Sequence, residues 1–335
     1  MSINSARVKE LLQQFQRQRI LVVGDLMLDR FVYGSVSRIS PEAPVPVIHV
    51  QQEKAMPGGA SNVATNIRAL GGQVALGGLL GRDAAGRELR EVLIKNGVST
   101  EAILDQVDAR TIVKERIIAE RQQVCRVDRE EPLRLDVPTL DGFSKRLAVE
   151  LKKCTGAVLA DYGKGVLQQS VVDGVLASAK AGNLPVGLDP KNFALQLSGL
   201  TLATPNRKEA FAAAGRPETT PVANPLQDRA LLEVGRVLLQ KWQPKLLLIT
   251  LGAQGMLLLT AEAAPHHVPT RAREVFDVSG AGDTVIATCV LALAAGATPV
   301  EAAEVANFAA GVVVGKLGTA TCNPAELLDA VAGHE

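Results

Sequence analysis

The chain of 335 residues carries 36 basic and 35 acidic side chains, a formal charge of +1, with 47% hydrophobic, 21% charged and 3% aromatic residues. With so even a balance, no basic block and few aromatics, it lacks the charged, stacking surface of a nucleic-acid platform. Its longest apolar run, residues 285–297, is too short for a membrane span and contains Thr288 and Cys289; the length suits one large or two smaller domains with a sizeable core.

Residues 5–18 have the pattern of a short amphipathic helix. Arg7, Lys9 and several glutamines stand where an export signal would be apolar, so a cytoplasmic protein is expected. Residues 19–24 then form a strongly apolar run ending in Gly24-Asp25, the pattern of a buried parallel strand. From there the chain alternates. Helical periodicity recurs at 59–70, 84–95, 140–153, 168–181, 226–241, 281–295, 299–316 and 324–331. Short apolar strands lie between, at 74–80, 157–160, 185–188, 200–203 and 245–250. This alternation predicts an α/β fold with a mostly parallel sheet and helices on both faces. Ligands of such sheets sit beyond the carboxyl ends of the strands.

Two segments depart from the alternation. Residues 31–52 are long, proline-punctuated and β-rich, and residues 111–128 read as a hairpin turning near 120–122. Their β-branched content predicts a small antiparallel sheet standing off the body as a lid or a dimer contact. The body would then comprise 1–30, 53–110 and 129–335, and the lid 31–52 and 111–128. The cysteines Cys125, Cys154, Cys289 and Cys322 are widely spaced without a CxxC pair, as expected of reduced thiols rather than metal ligands.

The most telling stretch is Asp277-Val-Ser-Gly-Ala-Gly-Asp283-Thr284, where a polar loop leads into an apolar helix. Small residues let the amides of Gly280, Ala281 and Gly282 point outward from a helix start, an end that attracts anions. An acid inside such a loop suits proton acceptance from a hydroxyl while the amides hold a phosphoryl group in transfer. A glycine turn with Asp283 as a cap is the simpler alternative.

Other expected strand ends carry small or ionisable residues as well. Asp25 and Asp29 flank the end of the first strand and could accept hydrogen bonds from vicinal sugar hydroxyls. Gly58 and Gly59 open the next helix, with Asn62 in its first turn. Asp161-Tyr-Gly-Lys164-Gly165 and Asp189-Pro-Lys191 each combine an acid with a lysine, as a phosphate and metal site would, although exposed pairs are common. Asn206 and Glu209 share one face of a helical first turn, where an Asn-x-x-Glu cap competes with a functional role. Thr250-Leu-Gly252-Ala-Gln-Gly255 ends a further strand in a flexible turn.

Gly58-Gly59 with Asn62, and Asp277 to Asp283, resemble the two signatures of the ribokinase-like (PfkB) carbohydrate kinases, and the resemblance runs from about residue 19 to 328. It implies a three-layer α/β/α domain with a β lid, ATP and Mg²⁺ as cofactors, and a monovalent cation as a further candidate. In that pattern Asp283 is the base and Gly280, Ala281 and Gly282 form the anion hole. Asn206 and Glu209 hold the metal through water, while Thr250, Gly252, Gly255 and Asn307 line the nucleotide. Asp25, Asp29, Gly58, Gly59 and Asn62 grip the sugar. Val278 stands where the family usually has Thr.

Residues 37–47 and Gly24-Asp-Leu-Met-Leu-Asp-Arg30 resemble one branch, which phosphorylates D-glycero-D-manno-heptose 7-phosphate for ADP-heptose and lipopolysaccharide core synthesis. Arg38, Lys114, Arg116 and Lys191 are candidates for its remote phosphate, and a homodimer through the lid is expected. Some such kinases are fused to a nucleotidyltransferase. The four histidines here (His49, His266, His267, His334) form no HxGH loop, so a stand-alone kinase is expected. The alternatives are a kinase of another sugar phosphate, such as fructose 1-phosphate, or a sugar or nucleotide sensor on the same fold. A Rossmann dehydrogenase is disfavoured, as no GxGxxG follows the first strand. An ordinary carboxylate pKa at Asp283 would suffice, since phosphoryl transfer is loose and dissociative.

Overall fold

A computed structural model describes residues 3–120, 122–131, 135–197, 199–272 and 275–334. Helix α1 (Ser5–Phe15) precedes β1 (Arg19–Gly24), and a long hairpin follows, β2 (Leu26–Ile39) and β3 (Pro46–Gly59). Next come α2 (Ala60–Ala69), β4 (Gln73–Gly81), α3 (Ala84–Lys95) and β5 (Ile103–Gln106), then a second hairpin, β6 (Ile112–Ala119) and β7 (Gln122–Arg129). The chain continues through α4 (Val137–Leu151), β8 (Gly156–Ala160), α5 (Gln169–Ala181), β9 (Val186–Asp189), β10 (Leu202–Ala203), α6 (Arg207–Ala213) and α7 (Arg229–Trp242). Strands β11 (Leu246–Thr250), β12 (Met256–Leu259) and β13 (His266–Val268) lead to α8 (Ala281–Ala294), α9 (Pro299–Val314) and α10 (Pro324–Ala332).

Among the described residues the main sheet has nine strands in the order β13-β12-β11-β10-β9-β8-β1-β4-β5, parallel from β11 to β5. Alternation along β1 sends Ile20 and Val22 into one apolar core with α1, α2, α8, α9 and α10. Leu21 and Val23 enter the other, with α4, α5, α6 and α7. Each face of the sheet is therefore covered, which is why its strands read as continuous apolar runs. The expected α/β/α layering is present. Strands β5, β12 and β13 fall outside the sequence expectation, and β12 and β13 pair antiparallel at the edge. No helix of the described residues is long and apolar enough to cross a membrane.

The second sheet has the order β3-β2-β6-β7. It is not antiparallel throughout: β2 and β6 pair in parallel, Met27 opposite Ile112, because both strands leave the body in the same direction. The outer pairs are antiparallel. Arg121, in the expected turn at 120–122, lies outside the described residues. This sheet starts at Leu26 and ends at Gly59 and Arg129, beyond 31–52 and 111–128. Leu26, Met27, Leu28 and Asp29 are buried, so the sheet is rooted in the body and only its outer half stands clear.

Candidate active site

Parallel pairing brings the ends of β1, β8, β9, β10 and β11 to one edge of the sheet, and α8 begins there. Gly280, the residue before α8, has φ 80°, and a Cβ on it would come within 2.7 Å of Asn62 Nδ2. Both the left-handed backbone and the close approach require glycine. No side chain among the described residues caps this helix end; the Ala281 amide donates to the Val278 carbonyl at 3.3 Å, a long bond that a ligand could replace. Asp277 pins the loop instead: its carboxylate accepts from the amides of Ser279 (2.9 Å) and Gly318 (3.0 Å). Burial would raise the Asp277 pKa, but those amides hold it below the ordinary value.

Asp283 lies in the first turn of α8. Its Oδ2 accepts from Asn62 Nδ2 at 2.7 Å, and its Oδ1 accepts from the Tyr162 hydroxyl. Asn62 is itself fixed by a buried chain in which Thr284 donates to Asn66 Oδ1 (2.9 Å) and Asn66 Nδ2 donates to Asn62 Oδ1 (3.2 Å). Burial pushes the Asp283 carboxyl up to about 6, although Tyr162 and Asn62 pull it down. The nearby Asp29 adds to the rise, and Lys191 opposes it. An ordinary carboxylate would suffice for the chemistry; this one is raised, and desolvation is the main cause.

On one side of Asp283, a cavity of about 310 Å³ is lined by Thr250, Gly252, Gly255, Ala281, Gly282 and Asn307 among others. Its walls are largely apolar, and nothing stands within 4 Å of where a Cβ on Gly252 or Gly282 would lie. Asn307 is buried and donates to the Pro269 carbonyl at 2.6 Å, so it holds the cavity wall. A larger depression of about 700 Å³, between α7 and residues 259–265, has Arg236 as its one charged lining residue and none of the motifs. Chemistry rather than size identifies the site.

On the other side lies the root of the second sheet. Asp29 is paired with Arg116 at 2.5 Å, and the Arg116 guanidinium sits 5.2 Å from the centre of the Phe31 ring. Gly58 lies against Asp29: a Cβ there would be 2.4 Å from its carboxylate. Gly59 has φ 57°, and a Cβ on it would meet the Asp25 carbonyl at 2.5 Å. Lys114 pairs in register with Asp29 and Asp128, so strand alternation puts it on the same face as Arg116.

Several expected residues sit differently from the sequence reading. Asp25 is fully buried and meets backbone, not open space: its carboxylate accepts from the amides of Tyr162, Lys164 and Val166, each at 3.0 Å. Arg38 is exposed, nine residues along β2 from Asp29, roughly 30 Å for an extended strand. It lies too far out to meet a sugar held at Asp283 of the same chain. Lys191 is ion-paired with Glu209 and senses Asp189 and Asp283, which places it among the acids at the strand ends rather than at the remote end of a sugar. Asp189, buried beside it, is pushed by that burial up to about 8.

Asn206 and Glu209 form a complete capping box on α6, with Asn206 Oδ1 accepting from the Glu209 amide (2.9 Å) and Glu209 Oε2 from the Asn206 amide (2.8 Å). The cap that the sequence left as an alternative is thus present, and Glu209 Oε1 faces Lys191. Among the described residues no group of three or more His, Cys, Asp or Glu could hold a metal directly. That donor set fits Mg²⁺ held through water and phosphate oxygens, as this ion dehydrates reluctantly.

The sequence reading gives no role to Tyr162 or Asn66, and offers Asp161 only as an acid of a phosphate and metal site. Asp161 accepts from the amides of Gly163 (2.9 Å), Lys191 (2.9 Å) and Asn192 (2.5 Å), tying the loop after β8 to the loop after β9. The signal for Tyr162 was its place one residue past an acid at a strand end; its partner 121 positions away was not legible.

A family model described as pfkB family carbohydrate kinase matches residues 17–326. The bifunctional protein HldE of Caulobacter vibrioides is 48% identical over 317 residues, 93% of this chain and 63% of that protein. Its counterpart in Pseudomonas aeruginosa is 46% identical over 328 residues, 97% of this chain and 66% of the relative. The chain therefore spans just under two thirds of the length of these relatives. Phosphofructokinase-2 from Escherichia coli in complex with potassium superposes with a TM-score of 0.74 at 20% identity, covering 94% of this chain and 99% of that one. Arabidopsis thaliana ribokinase complexed with ribose and ATP gives 0.70 at 19%, covering 94% and 98%. At such identity what is shared is the ribokinase-like fold.

Proposed function

Since the chain belongs to the pfkB family of carbohydrate kinases, we propose that it transfers the γ-phosphoryl group of ATP to the anomeric O1 of D-glycero-β-D-manno-heptose 7-phosphate, giving the 1,7-bisphosphate. The observation that carries this reading is the seat of Asp283, between an uncapped helix end beside an apolar cavity and a wall bearing Asn62, Asp29 and Arg116.

The nucleotide occupies the cavity of Thr250, Gly252, Gly255 and Asn307, with its terminal phosphate toward Gly280, Ala281 and Gly282. Those amides meet the charge on the phosphoryl group, and losing one such donor typically costs ~3 kcal/mol of barrier. Asp283 orients the sugar hydroxyl and takes its proton as the oxygen bonds to phosphorus and the bond to the β-phosphate oxygen breaks. With its pKa near 6, the carboxylate is largely ionised at neutral pH and still basic enough to accept. Magnesium, when bound, supplies charge neutralisation at the β- and γ-phosphates, and Asn206 and Glu209 would hold it through water once Glu209 turns from Lys191.

Asn62, Asp29 and Gly59 shape the sugar subsite, and Asp25 supports it from behind. Lys114 and Arg116 face the same side and are placed for the remote phosphate. The heptose rests on the resemblance carried by residues 37–47 and 24–30. The exposed apolar residues Val50 and Val124, on the edge strands β3 and β7, support a homodimer through the second sheet; sedimentation as a monomer would remove that contact. The function itself is tested by initial rates with ATP–Mg²⁺ on a sugar-phosphate panel. Heptose 7-phosphate should lead by at least about 10²-fold in kcat/KM, as expected where a buried polar subsite matches one substrate. Equal turnover of fructose phosphates would sink the heptose assignment and leave a sugar kinase of another specificity.

A further inference from the structure

Asp25 is a charged group with no exposure, and its carboxylate faces backbone amides. A buried carboxylate persists only where its oxygens are satisfied, and the three amides of Tyr162, Lys164 and Val166 do this. They come from one short loop that begins two residues beyond β8. The loop contains two glycines with positive φ, Gly163 at 69° and Gly165 at 104°, which let the backbone turn its amides onto the carboxylate. The same loop delivers the Tyr162 hydroxyl to Oδ1 of Asp283, while Asn62 holds Oδ2. Both oxygens of the base are thus fixed, one from α2 and one from the loop.

From this arrangement we propose that Tyr162 is a positioning residue for Asp283, and that Asp25 fixes Tyr162 by tethering its loop. The inference rests on Asp283 being the base. The charged and titratable groups facing Asp283 are Tyr162 from the loop, Asp29 from β2, Asp189 at the end of β9 and Lys191 just beyond it. Burial holds the Tyr162 hydroxyl well above its usual pKa, with the Asp283 charge adding to the effect, so it stays protonated and acts as a donor. A donor to a carboxylate stabilises its ionised form, so removing it raises the pKa of the base.

Tyr162→Phe keeps the ring and removes only the donor. The acid limb of kcat/KM, which reports the free enzyme, should move up by about one pH unit, with KM for ATP little changed. An unshifted limb in the folded variant would overturn the role of Tyr162. Asp25→Asn turns one acceptor into a donor facing those amides and should move the limb in the same direction. The tether is also read without a variant: the amides of Tyr162, Lys164 and Val166 should exchange with solvent far more slowly than those of an open loop. Exchange at loop rates would overturn it. Asp283→Asn separates the two readings. Retained turnover there removes the base itself, whereas an inactive Asp283→Asn with a normal Tyr162→Phe limb removes only the positioning.

Discussion

Asp283→Asn is expected to lower kcat by roughly 10²- to 10⁴-fold, the usual contribution of a positioned acid or base. The amide is nearly isosteric and still reaches Asn62 and Tyr162, so fold and ATP affinity should hold, as isothermal titration would show. What is lost is the proton acceptor. Because burial raises the wild-type pKa to about 6, kcat/KM should fall as pH drops through that value, when the carboxyl takes up its proton before the substrate does. The variant should lack this limb. Turnover within about threefold of wild type would refute the role, since it would require less than ~1 kcal/mol of barrier from the base.

Gly280→Ala should have the second largest effect. A methyl group here strains the backbone, whose φ is 80°, by ~1–2 kcal/mol. It also meets Asn62 Nδ2 at 2.7 Å, and Asn62 cannot retreat without releasing Asp283 or breaking its bond with Asn66. A displacement of about 1 Å in a group that holds the base costs on the order of 10²-fold in rate. The thermal midpoint should fall by only a few degrees, so activity is lost well beyond stability. Gly282→Ala is the contrast, for a Cβ there meets nothing within 4 Å in the structure and the fold should be untouched. Equal, mild effects of both substitutions on rate would mean that Gly280 is only a turn residue.

Much of the architecture was legible because it depends on local pattern. Apolar runs such as residues 19–24 and the glycine-to-acid stretch before α8 mark buried parallel strands and their ligand-facing ends without any knowledge of contacts. Pairing was less legible. The parallel joining of β2 to β6 follows from both strands leaving the body in the same direction, and no alternation within either strand encodes it. Short edge strands such as β13 lack the length to show a period.

Within the site, Asp283 and Asn62 stand out as residue types in a motif, but the bond between them spans 221 positions. Asp25 was read as a sugar ligand because a carboxylate at a strand end is chemically suited to one. Only the fold reveals that its oxygens accept from three loop amides, two on Oδ2 and one on Oδ1. The raised pKa of Asp283 was not legible either: desolvation is a property of what packs around a group, and sequence spacing carries little of it. At Asn206 and Glu209 the spacing was informative in both senses, since a capping box and a shared functional face need the same three-residue separation.

The central claim is phosphoryl transfer to the anomeric oxygen of a heptose 7-phosphate, and the identity of the product tests it most directly. Phosphorus NMR of the purified protein with ATP, Mg²⁺ and D-glycero-β-D-manno-heptose 7-phosphate should show ADP forming together with a second sugar phosphoester, coupled to the anomeric proton. ATP left intact with this substrate, while fructose 1-phosphate is converted under the same conditions, would contradict it.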